Sequence, residues 1–280
     1  KRIKFIKDVV GINKICIDTE GAQIRTKKLK KPKFLKKNSY VSLGFNKNSN
    51  FNLYPKFNLK KINKNTKIYI GFDNLILNVL RVKSDIIYCK VKNPGIIDSN
   101  KGVHINKNIN LKPLTNKDVE AIKIAKKLGV KKFALSFANT SRDLEIIRKL
   151  INKKDFLISK IETKKSLINL DNIIKKSNAI LIDRGDLSRY VPIHNIPIEQ
   201  LKILKRSKKL KKDTYVATNL LESMIQNESP TRAEANDIFL SLYHGANGLV
   251  LAAETAIGKN PIKCVQFVKK CISVSKKFIN

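Results

Sequence analysis

Hydrophobic and polar positions change their period twice along this chain. An apolar-polar alternation over residues 14–18 predicts a strand, closed by a turn at Glu20-Gly21. From about residue 27 to residue 108, short alternating runs (67–70, 75–82, 86–91) are separated by Asn, Lys, Gly and Pro. That is the pattern of a small domain built from short strands. After Leu111, short and nearly all-apolar runs recur at 133–137, 156–161, 179–182, 215–217 and 248–252. Runs without polar alternation predict strands buried on both faces. Between them, helical spacing predicts helices over 119–128, 144–151, 167–175, 197–211, 232–242 and 261–277. Pro197 and Pro261 suit a first helical position, and Thr115 with Asp118 and Thr231 with Glu234 have the spacing of capping boxes. Alternating strands and helices mean a parallel sheet covered by helices. A (β/α) barrel and an open doubly wound sheet both fit, but no G-x-G-x-x-G follows any strand, which removes the usual mark of a dinucleotide fold.

Composition narrows the classes. The chain has 280 residues, 42% of them hydrophobic, enough for one large or two ordinary domains with real cores. No apolar run approaches the ~20 residues a membrane span needs, and the basic start of the chain does not have a signal-peptide layout. Collagen, coiled-coil and membrane classes are excluded. A formal net charge of +36, from 58 Lys+Arg against 22 Asp+Glu, would ordinarily point to a polyanion. Here the lysines run along the whole length and travel with Asn and Ile, the residues that AT-rich codons supply, so nucleotide bias is the preferred explanation. Cys16, Cys89, Cys264 and Cys271 have no metal-site spacing and suit a reducing compartment. The three histidines do not cluster, and Ser136 has no partner in the sequence that suggests a catalytic triad.

In a (β/α) barrel the chemistry lies at the carboxyl ends of the strands, and three predicted strands end in polar residues. The 156–161 run leads into Lys160 and Glu162, two apart and so on one side of a strand. The 179–182 run leads into Asp183-Arg184-Gly185-Asp186, and the 215–217 run into Thr218-Asn219. Each has a plainer reading alone: a surface lysine, a solvated turn in which Gly185 allows a sharp bend, a helix-capping pair. Together Lys160, Glu162, Asp186 and Thr218 would converge on one rim. Two carboxylates and an ammonium suit Mg²⁺ and a phosphorylated ligand.

Those residues, in order, resemble the pyruvate kinase family: Ser159-Lys160-Ile161-Glu162, Asp183 to Leu187, Ala217 to Met224, Pro230 to Ala235 and Glu254-Thr255-Ala256. Weaker matches lie at Asp18-Thr19-Glu20-Gly21, Ile24-Arg25-Thr26, Lys101-Gly102-Val103, Leu114-Thr115, Lys117-Asp118 and Ser136-Phe137. The resemblance implies an α/β fold, a partial TIM-type (β/α) barrel with an inserted small β-barrel domain. Residues 1–26 would hold the third barrel strand, 27–108 the inserted lid and 109–280 strands four to eight. It implies phosphoryl transfer from phosphoenolpyruvate to ADP in glycolysis, with Mg²⁺ (or Mn²⁺) on Glu162 and Asp186 and K⁺ near Asp18 and Thr19. Lys160 and Thr218 would be catalytic and also touch the substrate, the backbone at Gly185 and Asp186 would hold the substrate carboxylate, and Lys101 and Arg25 would approach the nucleotide. A homotetramer in the full-length form, no membrane, no nucleic acid, and a cytoplasmic location (a plastid-type organelle as the alternative) complete the expectation.

The sequence also departs from the family pattern. The first two barrel strands and the C-terminal domain have no counterpart, so the chain reads as an excerpt of a longer protein or a reduced form of one. The paired lid acids have become Phe72-Asp73, with Asn74 for Gly; Asn139 replaces Arg, Asp183 replaces Ala, Ser188 replaces Gly, Asn219 replaces Gln, and Ala252-Ala253 replace Ser-Gly. Two competing functions follow: a catalytically impaired, basic relative that binds RNA or another polyanion, and a (β/α)-barrel lyase or aldolase acting on similar acids.

Overall fold

The computed structural model describes residues 2–71 and 75–279, so Phe72, Asp73 and Asn74 lie outside the described residues. The strands in chain order are β1 (Cys16–Asp18), β2 (Ile24–Thr26), β3 (Lys33–Leu35), β4 (Tyr40–Gly44), β5 (Phe51–Tyr54), β6 (Lys67–Ile70), β7 (Leu75–Lys83), β8 (Ile86–Asn93), β9 (Gly95–Ile97), β10 (Gly102–Ile105), β11 (Lys132–Leu135), β12 (Phe156–Ile161), β13 (Ala179–Asp183), β14 (Asp213–Ala217) and β15 (Gly248–Val250). The chain divides into two compact units, Lys1–Gly21 with Asn116–Asn280, and Ala22–Thr115.

The first unit is built on a six-stranded parallel sheet in the order β1-β11-β12-β13-β14-β15. Helices Ser141–Arg148, Ile196–Lys209 and Arg232–Tyr243 connect successive strands, and Pro261–Ile279 follows the last. Phe133, Leu135, Leu157, Ile161, Ile180, Ile182 and Val216 are fully buried, as strands covered on both faces require. The register sets Ser159 beside Leu135, Lys160 beside Leu181 and Asp183 beside Ala217, so the carboxyl ends of these strands align.

The second unit is a closed β-barrel in the order β10-β2-β5-β4-β8-β7-β6, with β3 and β9 paired separately. Inward positions alternate along β5, β6 and β7 and fill a core that includes Leu43, Leu53, Ile68, Leu77, Val79, Ile87 and Val91. The molecule is therefore an α/β fold, a parallel half-barrel sheet with an inserted small β-barrel. β2 pairs with β5 and β10, so residues 24–26 belong to the small barrel and not to the segment before residue 27.

Two local readings change. The helix expected over 167–175 is two short ones, Lys164–Ile168 and Leu170–Lys176, meeting at Asn169, whose side-chain amide donates to the Lys165 and Asn139 carbonyls. The bond to the Lys165 carbonyl satisfies one of the acceptors left free at the end of the first helix. The first strand begins at Cys16, because Ile12–Lys14 forms a 3₁₀ turn. Among the described residues no helix is long and apolar enough to cross a membrane.

Candidate active site

Lys160 stands at the end of β12 and is only 9% exposed. Its ammonium Nζ lies 3.0 Å from Glu162 Oε1, 3.2 Å from Asp18 Oδ2 and 3.3 Å from Asp183 Oδ2, and donates to Ser136 Oγ at 3.2 Å. Burial works against its charge, but the three carboxylates outweigh that and raise its pKa above the usual lysine value. Glu162 is completely buried and accepts a hydrogen bond from the Phe137 amide. Burial and the nearby Asp183 and Asp186 push its carboxyl well above the ordinary range, against the pull of Lys160. Its Oε1 is met by the Lys160 ammonium at 3.0 Å.

Beyond β13 the chain turns straight into the short helix Arg184–Leu187, capped by Asp183, whose Oδ1 accepts from the Asp186 amide at 3.4 Å. The 183–186 segment is therefore a capped helix start, not a solvated turn. Gly185 makes no sharp bend. A Cβ there would meet Asp183 Oδ1 and Thr218 Oγ1 at 3.5 Å, ordinary contact, so neither space nor φ demands glycine. Its amide donates to Thr218 Oγ1 at 2.9 Å. Asp186 Oδ1 lies 3.4 Å from Arg189 Nε. Oxygens of Glu162, Asp183 and Asp186 all fall within 4.8 Å of one another.

Thr218 and Asn219 do not cap a helix either; both have left-handed backbone, φ 69° and 53°. The Thr218 hydroxyl donates to the Ala217 carbonyl at 2.6 Å while accepting from Gly185. Thr218 is thus tied to the 183–186 segment across the sheet.

The remaining predicted residues fall in two places. Asp18 reaches the lysine cluster, accepting from Ser136 Oγ at 2.9 Å, and Thr19 Oγ1 accepts from the Ser136 amide at 3.0 Å. The turn that follows is held by Asp118, whose carboxylate accepts from the Glu20 and Gly21 amides. Gly21 is required there: φ is 67°, and a Cβ would lie 2.4 Å from the Ser136 carbonyl oxygen. Arg25 and Lys101 lie in the small barrel, where Arg25 is in register with Gly102 and donates to the Asn100 carbonyl at 3.4 Å.

Residues 2–265 match the family described as pyruvate kinase, barrel domain. The chain belongs to the pyruvate kinase family. It is 37% identical over 291 residues to the pyruvate kinase of Thermotoga maritima, covering 99% of this chain and 62% of that protein. It is 33% identical to the pyruvate kinase of Borreliella burgdorferi, covering 98% of this chain and 59% of that one. The chain thus spans about three-fifths of the length of the curated relatives it matches. A crystal structure of a pyruvate kinase from Cryptosporidium parvum superposes with a TM-score of 0.80 at 28% identity, covering 94% of this chain and 57% of that one.

Lys160, Glu162, Asp186 and Thr218 stand at the ends of three adjacent strands, and three further groups lie beside them. Ser136 bridges Asp18 and Lys160. The Phe137 amide, at φ 53°, is aimed at Glu162. Asp183 faces Lys160. Ser136-Phe137 was visible as a weak family match and Asp183 as a departure from the pattern. Neither signal said that these groups would touch the lysine or the glutamate, because the contacts span 24, 25 and 23 positions of sequence.

Proposed function

We propose that the protein carrying this chain transfers a phosphoryl group from phosphoenolpyruvate to ADP, yielding pyruvate and ATP in glycolysis. One observation carries the reading: an ammonium, two carboxylates and a hydroxyl gathered from the ends of three adjacent parallel strands. The oxygen-only donor set suits a hard divalent cation, and the fully buried Glu162 Oε1, which shares the Lys160 ammonium with two other carboxylates, is the kind of atom such an ion satisfies. Glu162 and Asp186 would hold Mg²⁺ or Mn²⁺. When bound, the ion would neutralise charge on the phosphoryl oxygens. Asp18 and Thr19 would hold K⁺ in the same reading; Asp18 also meets Ser136 and Lys160, and Thr19 Oγ1 the Ser136 amide, and no step is derived through potassium.

The chain's own residues then divide the work. The Lys160 ammonium, held charged by its carboxylates, offsets negative charge as the bond from phosphorus to the enol oxygen breaks and a bond to an ADP phosphate oxygen forms. A proton then reaches the substrate carbon through water near Thr218, whose hydroxyl keeps the Gly185 amide in place. The Asp186 amide receives the substrate carboxylate, its 3.4 Å bond to Asp183 being long enough to exchange for a better acceptor, and the Gly185 amide joins it on releasing Thr218 Oγ1. Arg25 and Lys101 contact the nucleotide. A homotetramer and a cytoplasmic location belong to the same reading.

The test is Lys160→Met in the full-length protein, following pyruvate formation from phosphoenolpyruvate and ADP. Turnover is expected to fall by about 10²–10³. Unchanged turnover overturns the role of Lys160, and a wild-type protein that forms no pyruvate overturns the function.

A further inference from the structure

The acid at position 183 is not needed where it stands merely to cap a helix. A cap uses one oxygen and no net charge, and Asn serves as well. Asp183 instead brings a second oxygen, Oδ2, to 3.3 Å from Lys160 Nζ in a site where the residue is 8% exposed. The same ammonium already serves Glu162 and Asp18. Among the described residues Glu162, Asp183 and Asp186 gather beside Lys160, with Arg189 next to Asp186, three acids against two cations, while the Asp18 side chain, also on Lys160, is 57% exposed. Burying surplus negative charge is expensive unless something positive compensates it. The fully buried Glu162 Oε1 has the Lys160 ammonium as its partner, at 3.0 Å, and shares that single cation with Asp18 and Asp183. Opposite oxygens of a six-coordinate Mg²⁺ lie about 4.2 Å apart, close to the 4.8 Å within which the oxygens of Glu162, Asp183 and Asp186 fall.

We propose that Asp183 is a third carboxylate ligand of the divalent cation, placed where the family pattern has Ala. This rests on the cation reading given above and deepens it. Without the ion, an anionic substrate approaches three clustered acids; the ion offsets their charge. The cation therefore binds before the phosphorylated substrate, and more tightly than two carboxylates alone allow.

Calorimetric titration of the full-length protein with Mn²⁺, without substrate, tests this. Four proteins are compared: wild type, Asp183→Asn, which keeps the helix cap, Asp183→Ala, and Glu162→Gln. Wild type is expected to bind one Mn²⁺ per chain at this site, Asp183→Asn to lose about tenfold in affinity, Asp183→Ala to lose more, and Glu162→Gln to lose binding. Thermal melts of the metal-free proteins identify a variant that fails to fold, and the Asn variant stands in for Ala in that case. Wild-type affinity in both position-183 variants, with loss in Glu162→Gln, overturns the third ligand and leaves the proposed function intact. The same result with tighter phosphoenolpyruvate binding would assign Asp183 to competition for the substrate carboxylate's seat. No Mn²⁺ binding by the folded wild-type protein overturns the cation site itself.

Discussion

Thr218 holds a conformation that a β-branched residue rarely adopts, with φ at 69°. Such backbone costs about 1–3 kcal/mol and persists only where its surroundings enforce it. The enforcement is visible. Arg184 donates to the Thr218 carbonyl from Nε at 3.2 Å and from Nη2, and its Nη1 is held by both oxygens of Asp237 at 2.7 and 2.8 Å. Arg184 is nearly buried, while the Asp237 side chain is 36% exposed. Replacing Asp237 with Asn leaves a guanidinium without its counter-charge. A loss of about 1–3 kcal/mol is expected, toward the lower part of what breaking a buried pair costs because solvent screens this one. Urea unfolding measures it, and a change below about 0.5 kcal/mol would show that the clamp does not hold the strained turn. The chemistry of Thr218 was legible in the sequence. Its strain and its dependence on Asp237 were not, since a lone acid on a helix has no distinguishing mark.

At the scale of elements, the capping box on helix Arg232–Tyr243 was legible from spacing alone, because its partners are three residues apart. Thr231 caps the helix, and Glu234 returns the bond to the Thr231 amide at 2.7 Å. The structure adds a second duty: the same carboxylate accepts from the amide and hydroxyl of Ser223, eleven residues upstream. Burial opposes the charge of Glu234, but the bonds from Ser223 and Thr231 prevail and hold its pKa below the usual value. A depressed pKa contributes stability that is present above the unfolded value, about 4.3, and is lost as pH falls through the lower folded one. Glu234→Gln should therefore destabilise the protein by about 1 kcal/mol near neutral pH, with the gap to wild type closing below about pH 4. Thermal or urea melts across that range measure the gap, and one that persists at low pH would assign the effect to packing. The break at Asn169 marks the limit of periodicity: hydrophobic spacing continues through it, and only the backbone shows two helices.

For the whole molecule, each of the two units carries its own core, and each core buries a cysteine. Cys89 sits in the small barrel, its thiol pushed up to about 12 by burial. Cys264 is buried among Leu220, Leu221, Met224 and Ile238 in the other unit, and burial raises its pKa too. Neither thiol should react with iodoacetamide at pH 8 in the native protein, since the thiolate is the nucleophile. In increasing urea the two should become reactive at separate midpoints, reporting each unit's opening; one common midpoint would show a single cooperative unit.

What the sequence determined by itself is local and periodic. All-apolar strands alternating with helices dictate a covered parallel sheet, alternating short strands dictate a small strand-rich domain, and polar strand ends mark the rim. These follow from interactions between residues a few positions apart, which spacing records. The tertiary structure decided which carboxylates share the Lys160 ammonium. Asp18 and Asp183 stand 142 and 23 positions from it, and only the parallel register brings them within 3.3 Å. The crowding of acids around one buried lysine is a property of that convergence, and no stretch of the chain carries it alone.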